Sequence, residues 1–276
     1  MSDLPIWGMS VTAHGSARFE SPELEAGETD DHYPDQYARF AATVALRQLT
    51  QWLPLLPVSV LDLSLPLPDA PARFDSRVAD VVMAAGHHVT SVTGQGSRPP
   101  IGRLSHPVVV GDSRSLDWIR SESFDAVIAE GGALSDSLAA EDTVRGIARV
   151  LRPGGRLLAS ADSLVLGLAR LAEQNRWPEL ADAPAADVVL VPDPAHAGGY
   201  SRCFSPDDLC ELLDGSGLEV EWIRPRTAIP AAAVRQTLMT DPSAMGDLVI
   251  SELSLAGAHA GEANGSRLVV SGRKPR

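Results

Sequence analysis

The run Phe124-Asp-Ala-Val-Ile-Ala129 constrains the fold most, because a helix and a second strand come directly after it. The helical period places Val144, Ile147, Ala148 and Leu151 on one face. The turn Arg152-Pro-Gly-Gly155 then leads into a second short apolar run, Arg156-Leu-Leu-Ala-Ser160. Strand, helix and strand in this order make a parallel crossover unit. The same alternation starts earlier. A helix is expected over 34–53, with Pro34 in its first turn and Pro54 and Pro57 beyond its end. A buried strand at 58–63 comes next, then a proline-punctuated loop at 64–71, a helix over 73–85 and strands at 88–92 and 107–110. Strands this short and apolar, interleaved with helices, belong to a parallel sheet covered on both faces.

Residues 162–203 break the rhythm. They carry a helix near 164–176, a Pro-rich stretch and the apolar run Val188-Val-Leu-Val191, and read as an insertion above the sheet edge that can act as a lid. Ser205-Pro206-Asp207-Asp208 has the chemistry of a helix start: an N-cap serine, proline at the first position and acids in the first turn. A strand at 218–223, helical segments near 231–239 and 243–256, and a last strand at 267–271 complete the chain. Residues 1–33 are expected to form an acidic, flexible arm ahead of the domain at 34–276. Between Glu20 and Asp35 there are seven acids and no Lys or Arg.

A formal charge of −13 argues against a nucleic-acid surface, which needs clustered basic residues. No apolar run is long enough to span a membrane, and no basic leader precedes an apolar core. Cys203 and Cys210 lack metal spacing and read as reduced thiols of a cytoplasmic protein.

The order of elements over 34–274 resembles the class I S-adenosylmethionine-dependent methyltransferases. The resemblance rests on Phe124-Asp-Ala-Val followed at the family's spacing by Leu151-Arg-Pro-Gly-Gly155. It rests also on the step Gly111-Asp112-Ser113 and on the closing Leu268-Val-Val-Ser-Gly-Arg-Lys-Pro275. It implies a Rossmann-like α/β fold, with a mostly parallel seven-stranded sheet, helices on both faces and an antiparallel last strand. S-adenosylmethionine is the implied cofactor if the chain is active; the alternative is none. The implied cofactor-binding residues are Asp62, Ser64, Asp112, Ser113 and Glu130, with Asp112 facing the adenine. Glu130, His196 and His32 are weak catalytic candidates.

The sequence departs from the family in two places. The three glycines of the family's first loop fall on Ser64, Pro66 and Pro68. Proline fixes φ and lacks an N–H, so this loop is stiff and extended where a backbone cradle is needed. The second strand, His88 to Gln95, ends without the acid that holds the ribose; Thr93 or Gln95 offers one neutral bond at most. Together these losses amount to about two to four orders of magnitude in affinity. The sequence therefore favours a methyltransferase-like protein with a degraded cofactor site that acts non-catalytically. Such a protein would bind a protein partner, a second copy of itself or a small ligand. The alternative is an active methyltransferase for a small molecule.

Overall fold

The computed structural model describes residues 33–65, 77–94, 106–193, 199–258 and 265–276. All of them belong to one compact unit, His32–Arg276. The arm expected at the N-terminus lies outside the described residues, as do His32, His196, Pro66, Pro68 and Gln95.

The chain runs α1 (Tyr33–Trp52), β1 (Ser59–Asp62), α2 (Arg77–Ala84), β2 (His88–Thr93), β3 (Val108–Val110), β4 (Phe124–Ala129), α3 (Ala140–Val150) and β5 (Leu151–Ser163). It continues with α4 (Leu164–Glu173), α5 (Trp177–Asp182), β6 (Val189–Pro192), β7 (Tyr200–Phe204), α6 (Pro206–Asp214), β8 (Glu219–Pro225), α7 (Ala231–Thr240), α8 (Met245–Ala258) and β9 (Arg267–Arg273). Strand order is β3-β2-β1-β4-β5-β7-β6, with β9 pairing β5 and β8. Strands β3, β2, β1, β4 and β5 are parallel, and β9 runs antiparallel to both of its neighbours. This is the mixed sheet that the resemblance implied.

Alternation along the strands makes two cores. Leu61, Val127, Leu157, Ala159, Leu268 and Val270 face α3 and α6. Their neighbours Val60, Ala126, Ile128, Leu158 and Val269 face α1 and α2 on the opposite side. A one-residue slip in any strand would exchange these sets, so the register is fixed by burial. Helix α1 serves two cores: Leu49 and Trp52 lie on the sheet, while Phe40 and Val44 pack against Val234, Leu238 and Val249 of α7 and α8.

Two local expectations need correction. The segment 162–203 does not sit above the sheet edge; it extends the sheet. Strands β6 and β7 form an antiparallel hairpin, and β7 joins the end of β5 through Asp162↔Cys203 and Ser163↔Phe204. Among the described residues the sheet has nine strands instead of seven. The hairpin fits because β4 ends at Ala129, opposite Ala159, which leaves the last residues of β5 an open edge on that side while β9 occupies the other as far as Asp162. The insertion has its own small core of Leu171, Ala183, Val189, Val191 and Cys203. The Arg-Pro-Gly-Gly segment, expected as a turn outside the strand, lies within β5 as an irregularity where the register with β4 shifts. Its glycines stay in the ladder because the N–H of Gly154 donates to the Lys274 carbonyl and that of Lys274 to the Gly155 carbonyl.

The cap at Ser205 is as the sequence implied. Its hydroxyl accepts from the Asp208 N–H at 3.1 Å, and the Asp208 carboxylate accepts from the Ser205 N–H at 2.7 Å. Cys203 and Cys210 are free. Burial pushes the Cys203 thiol up to about 12, which leaves it protonated. Among the described residues no helix is long and apolar enough to cross a membrane.

Candidate functional site

The carboxyl ends of the parallel strands bring three of the five cofactor candidates into one chain of bonds. Asp62 ends β1 and pairs in register with Ser91 of β2. Its carboxylate accepts from the Ser64 N–H at 3.0 Å and from the Ser91 hydroxyl at 3.1 Å. The Ser64 hydroxyl accepts from the N–H of Glu130, directly after β4, at 3.2 Å. Burial raises the Asp62 carboxyl above the ordinary range, although the bonds from Ser64 and Ser91 pull it back in part. Ser91 also lies 3.1 Å from Nε2 of His106.

Asp112 and Ser113 stand outside this chain. Asp112 is exposed and folds back on its neighbour: Oδ1 accepts from the backbone N–H of Arg114 at 2.9 Å and from its Nε at 3.0 Å. Bonding to Arg114 holds the carboxyl below its usual range.

The described start of the segment after β1, residues 63–65, stays on the sheet. Leu63 donates to the Ile128 carbonyl at 2.8 Å and Leu65 to the Glu130 carbonyl at 3.0 Å, so β1 stays zipped to the exit of β4 as far as Leu65. The glycine after Glu130 makes this approach feasible. Gly131 has φ +75°, and a Cβ there would lie 2.2 Å from the Leu65 carbonyl oxygen.

Glu130 is buried, and its principal partner is Arg226, just past β8. One carboxylate oxygen takes the Arg226 guanidinium, whose other arm reaches Oε1 of Gln48 in α1 at 2.5 Å. The second carboxylate oxygen, Oε1, is buried with no hydrogen-bond partner among the described residues. Beside this pair opens a cavity of about 250 Å³. The α1 face from Tyr37 to Ala45 forms one wall, and the ends of β4, β5, β8 and β9 with α4 and α7 form the others.

Arg226, Arg235, Arg170 and Arg267 also line this cavity, and sequence reasoning missed them. A signal existed for Arg226, which follows a strand at its ligand-bearing end. For the others there was none, since they come from a helix middle, a second helix and a strand start. Asp162, near the end of β5, organises two of them. It is fully buried, accepts from Arg267 at 3.0 Å, Arg170 at 3.1 Å and the Ser201 hydroxyl at 2.8 Å, and so ties the inserted hairpin to β9. Burial pushes the Asp162 carboxyl up, but Arg267, Ser201 and Arg170 outweigh it and hold it below the usual range.

A depressed folded pKa stabilises above the unfolded value, and that contribution is lost as pH falls through the folded one. Asp162→Asn is therefore expected to lose roughly 2–3 kcal/mol at pH 7, less than a fully enclosed pair because both arginines reach solvent. It should lose less than the parent on acidification below about pH 4. Urea unfolding from pH 7 to pH 3 reads both effects; parallel curves for the two proteins would contradict them. Asp62 works in the opposite sense. Its raised pKa adds stability that is full below the ordinary carboxylate value and fades as pH rises through the folded one.

Comparison with known proteins gives a consistent picture. Residues 81–159 match the methyltransferase-domain family. No curated protein matches the sequence. A Thermotoga maritima S-adenosylmethionine-dependent methyltransferase superposes with a TM-score of 0.53 at 17% identity, covering 86% of this chain and 91% of its own. A Mesorhizobium loti S-adenosylmethionine-dependent methyltransferase gives 0.53 at 15%, covering 85% and 98%. A Haloferax volcanii putative methyltransferase, solved in complex with the Trm112 methyltransferase activator, gives 0.52 at 15%, covering 88% and 99%. At these identities the likeness is one of fold.

Proposed function

We propose that this chain, which has the class I S-adenosylmethionine-dependent methyltransferase fold and matches the methyltransferase-domain family over residues 81–159, acts by binding and not by methyl transfer. The observation that carries this reading is the start of the segment after β1. Where the family's glycine-rich turn would begin, Leu63 and Leu65 donate to the exit of β4. The acids support the same reading. Asp62 is occupied by Ser64 and Ser91, Asp112 by Arg114 and one oxygen of Glu130 by Arg226. A desolvated Asp62 with a raised pKa is a poor acceptor for a cationic cofactor. The residues present therefore do not fit S-adenosylmethionine as the resemblance would place it.

The ligand-bearing end keeps a cavity, displaced toward α1, α7 and β8, and a small molecule there is the first expected ligand. A protein partner or a second copy is the other. The Haloferax neighbour is held by an activator protein. Here the inserted hairpin presents Val188, Leu190 and Tyr200, each more than 40% exposed, along the sheet edge.

The test is calorimetric titration with S-adenosylmethionine and S-adenosylhomocysteine. No heat is expected up to millimolar concentration. Micromolar binding would overturn the proposal and favour the second reading, a small-molecule methyltransferase whose substrate sits in the cavity beside Glu130. Under that second reading Asp112→Ala should abolish turnover.

A further inference from the structure

The cavity beside Glu130 has walls of three kinds, and their charges do not cancel. The α1 wall is apolar: Ala38, Ala41, Ala42 and Ala45 line it in helical register. Arg226 is neutralised by Glu130, and Arg170 and Arg267 share the buried Asp162, with Arg170 also 2.8 Å from Asp193. Arg235 of α7 differs. Its guanidinium lies 5.6 Å from the ring centre of Tyr37, and it meets no carboxylate among the described residues. At another point of the same cavity stands Glu130, 4% exposed, with its Oε1 buried and without a donor among the described residues. A buried carboxylate oxygen without a partner is unfavourable, and a ligand donor relieves it.

We infer that the cavity binds a small aliphatic amino carboxylate, with its ammonium group on Oε1 of Glu130, its carboxylate at Arg235 and its hydrocarbon portion against the α1 alanines. The ammonium supplies the missing donor as a charge-assisted bond. The carboxylate answers the cavity arginine that meets no acid among the described residues, and guanidinium suits it by geometry. A volume of about 250 Å³ lies just below the range of drug-sized sites and calls for a compact molecule. An amine alone leaves Arg235 unanswered, and a fatty acid alone brings no donor to Glu130.

The inference rests on the binding role proposed above and names its ligand class. The intact protein is titrated calorimetrically with L-norleucine, 4-aminobutyrate and 6-aminohexanoate, which separate the two charged groups by different lengths. Pentylamine and hexanoate, each carrying one group, are the controls. At least one amino carboxylate is expected to bind at least about tenfold more tightly than either control. Arg235→Ala, a half-buried position, should weaken it about tenfold or more, and Ala41→Leu should block it by occupying the cavity. Failure of all three amino carboxylates, equal binding of the controls, or full affinity in both folded variants would overturn the inference. Competition with S-adenosylmethionine separates the two conclusions. Binding of S-adenosylmethionine would sink the non-catalytic reading alone, and silence from it together with amino carboxylate binding supports both.

Discussion

Arg226→Met is expected to cost about 3–5 kcal/mol of folding stability at pH 7, the range for breaking one side of a fully buried ion pair. Arg226 and Glu130 have side chains only 6% and 5% exposed. Methionine fills the volume but leaves a carboxylate desolvated with neither oxygen paired, and it strips Gln48 of its guanidinium donor. The double variant Glu130→Gln with Arg226→Met should recover most of the loss, because replacing both partners with neutral groups also removes the desolvation of charge. Urea unfolding of the parent, the two single variants and the double variant measures this coupling. A single-variant loss below about 1 kcal/mol would mean that the pair is solvated and that the cavity wall is looser than described.

Gly131→Ala is the second large effect, about 3 kcal/mol or more, and two contributions add up to it. A φ of +75° disfavours any residue with a Cβ by about 1–2 kcal/mol. The new methyl would also lie 2.2 Å from the Leu65 carbonyl oxygen and 2.9 Å from its carbon, so the loop must give up bonds to β4 worth about 0.5–1.5 kcal/mol each. Gly86→Ala is the control. It shares the positive φ, at +87°, but a Cβ there meets nothing within 4 Å, so only the conformational cost should appear. Equal losses for the two variants in thermal or urea unfolding would show that the zipped loop adds no stability. A larger loss at Gly131 isolates the contribution of the contact between the β1 loop and the β4 exit.

Both effects belong to the part of the molecule that sequence patterns describe least. The β4 run, the helix behind it and the cap at Ser205 were readable because each depends on neighbours within a few residues: an apolar period, a hydroxyl three residues from an N–H, a proline at the first turn. Strand β7 was not readable. Tyr200-Ser-Arg-Cys-Phe204 has a polar middle, and it is a strand because Ser201 and Arg202 find Asp162, the Ser135 carbonyl and Glu141. Strand β5 was readable only at 156–160; its irregular start was missed for a similar reason, since its glycines are held by Lys274 from the far end of the chain.

The site divides in the same way. Asp62, Ser64 and Glu130 were identified from their places after β1 and β4, and the structure joins them through direct bonds. Asp112 was placed correctly after β3, but its engagement with Arg114 was not anticipated. The sequence by itself determined the order of strands and helices outside 162–203, the strand ends that bear the site and the absence of glycines in the first loop, because these follow from period, composition and backbone freedom. Only the tertiary structure decided which charges are cancelled. Glu130 meets Arg226 across 96 residues and Asp162 meets Arg267 across 105, and no local pattern encodes such pairs. The balance they leave among the described residues, a carboxylate oxygen without a donor and an arginine without an acid in one cavity, is a property of the folded chain alone.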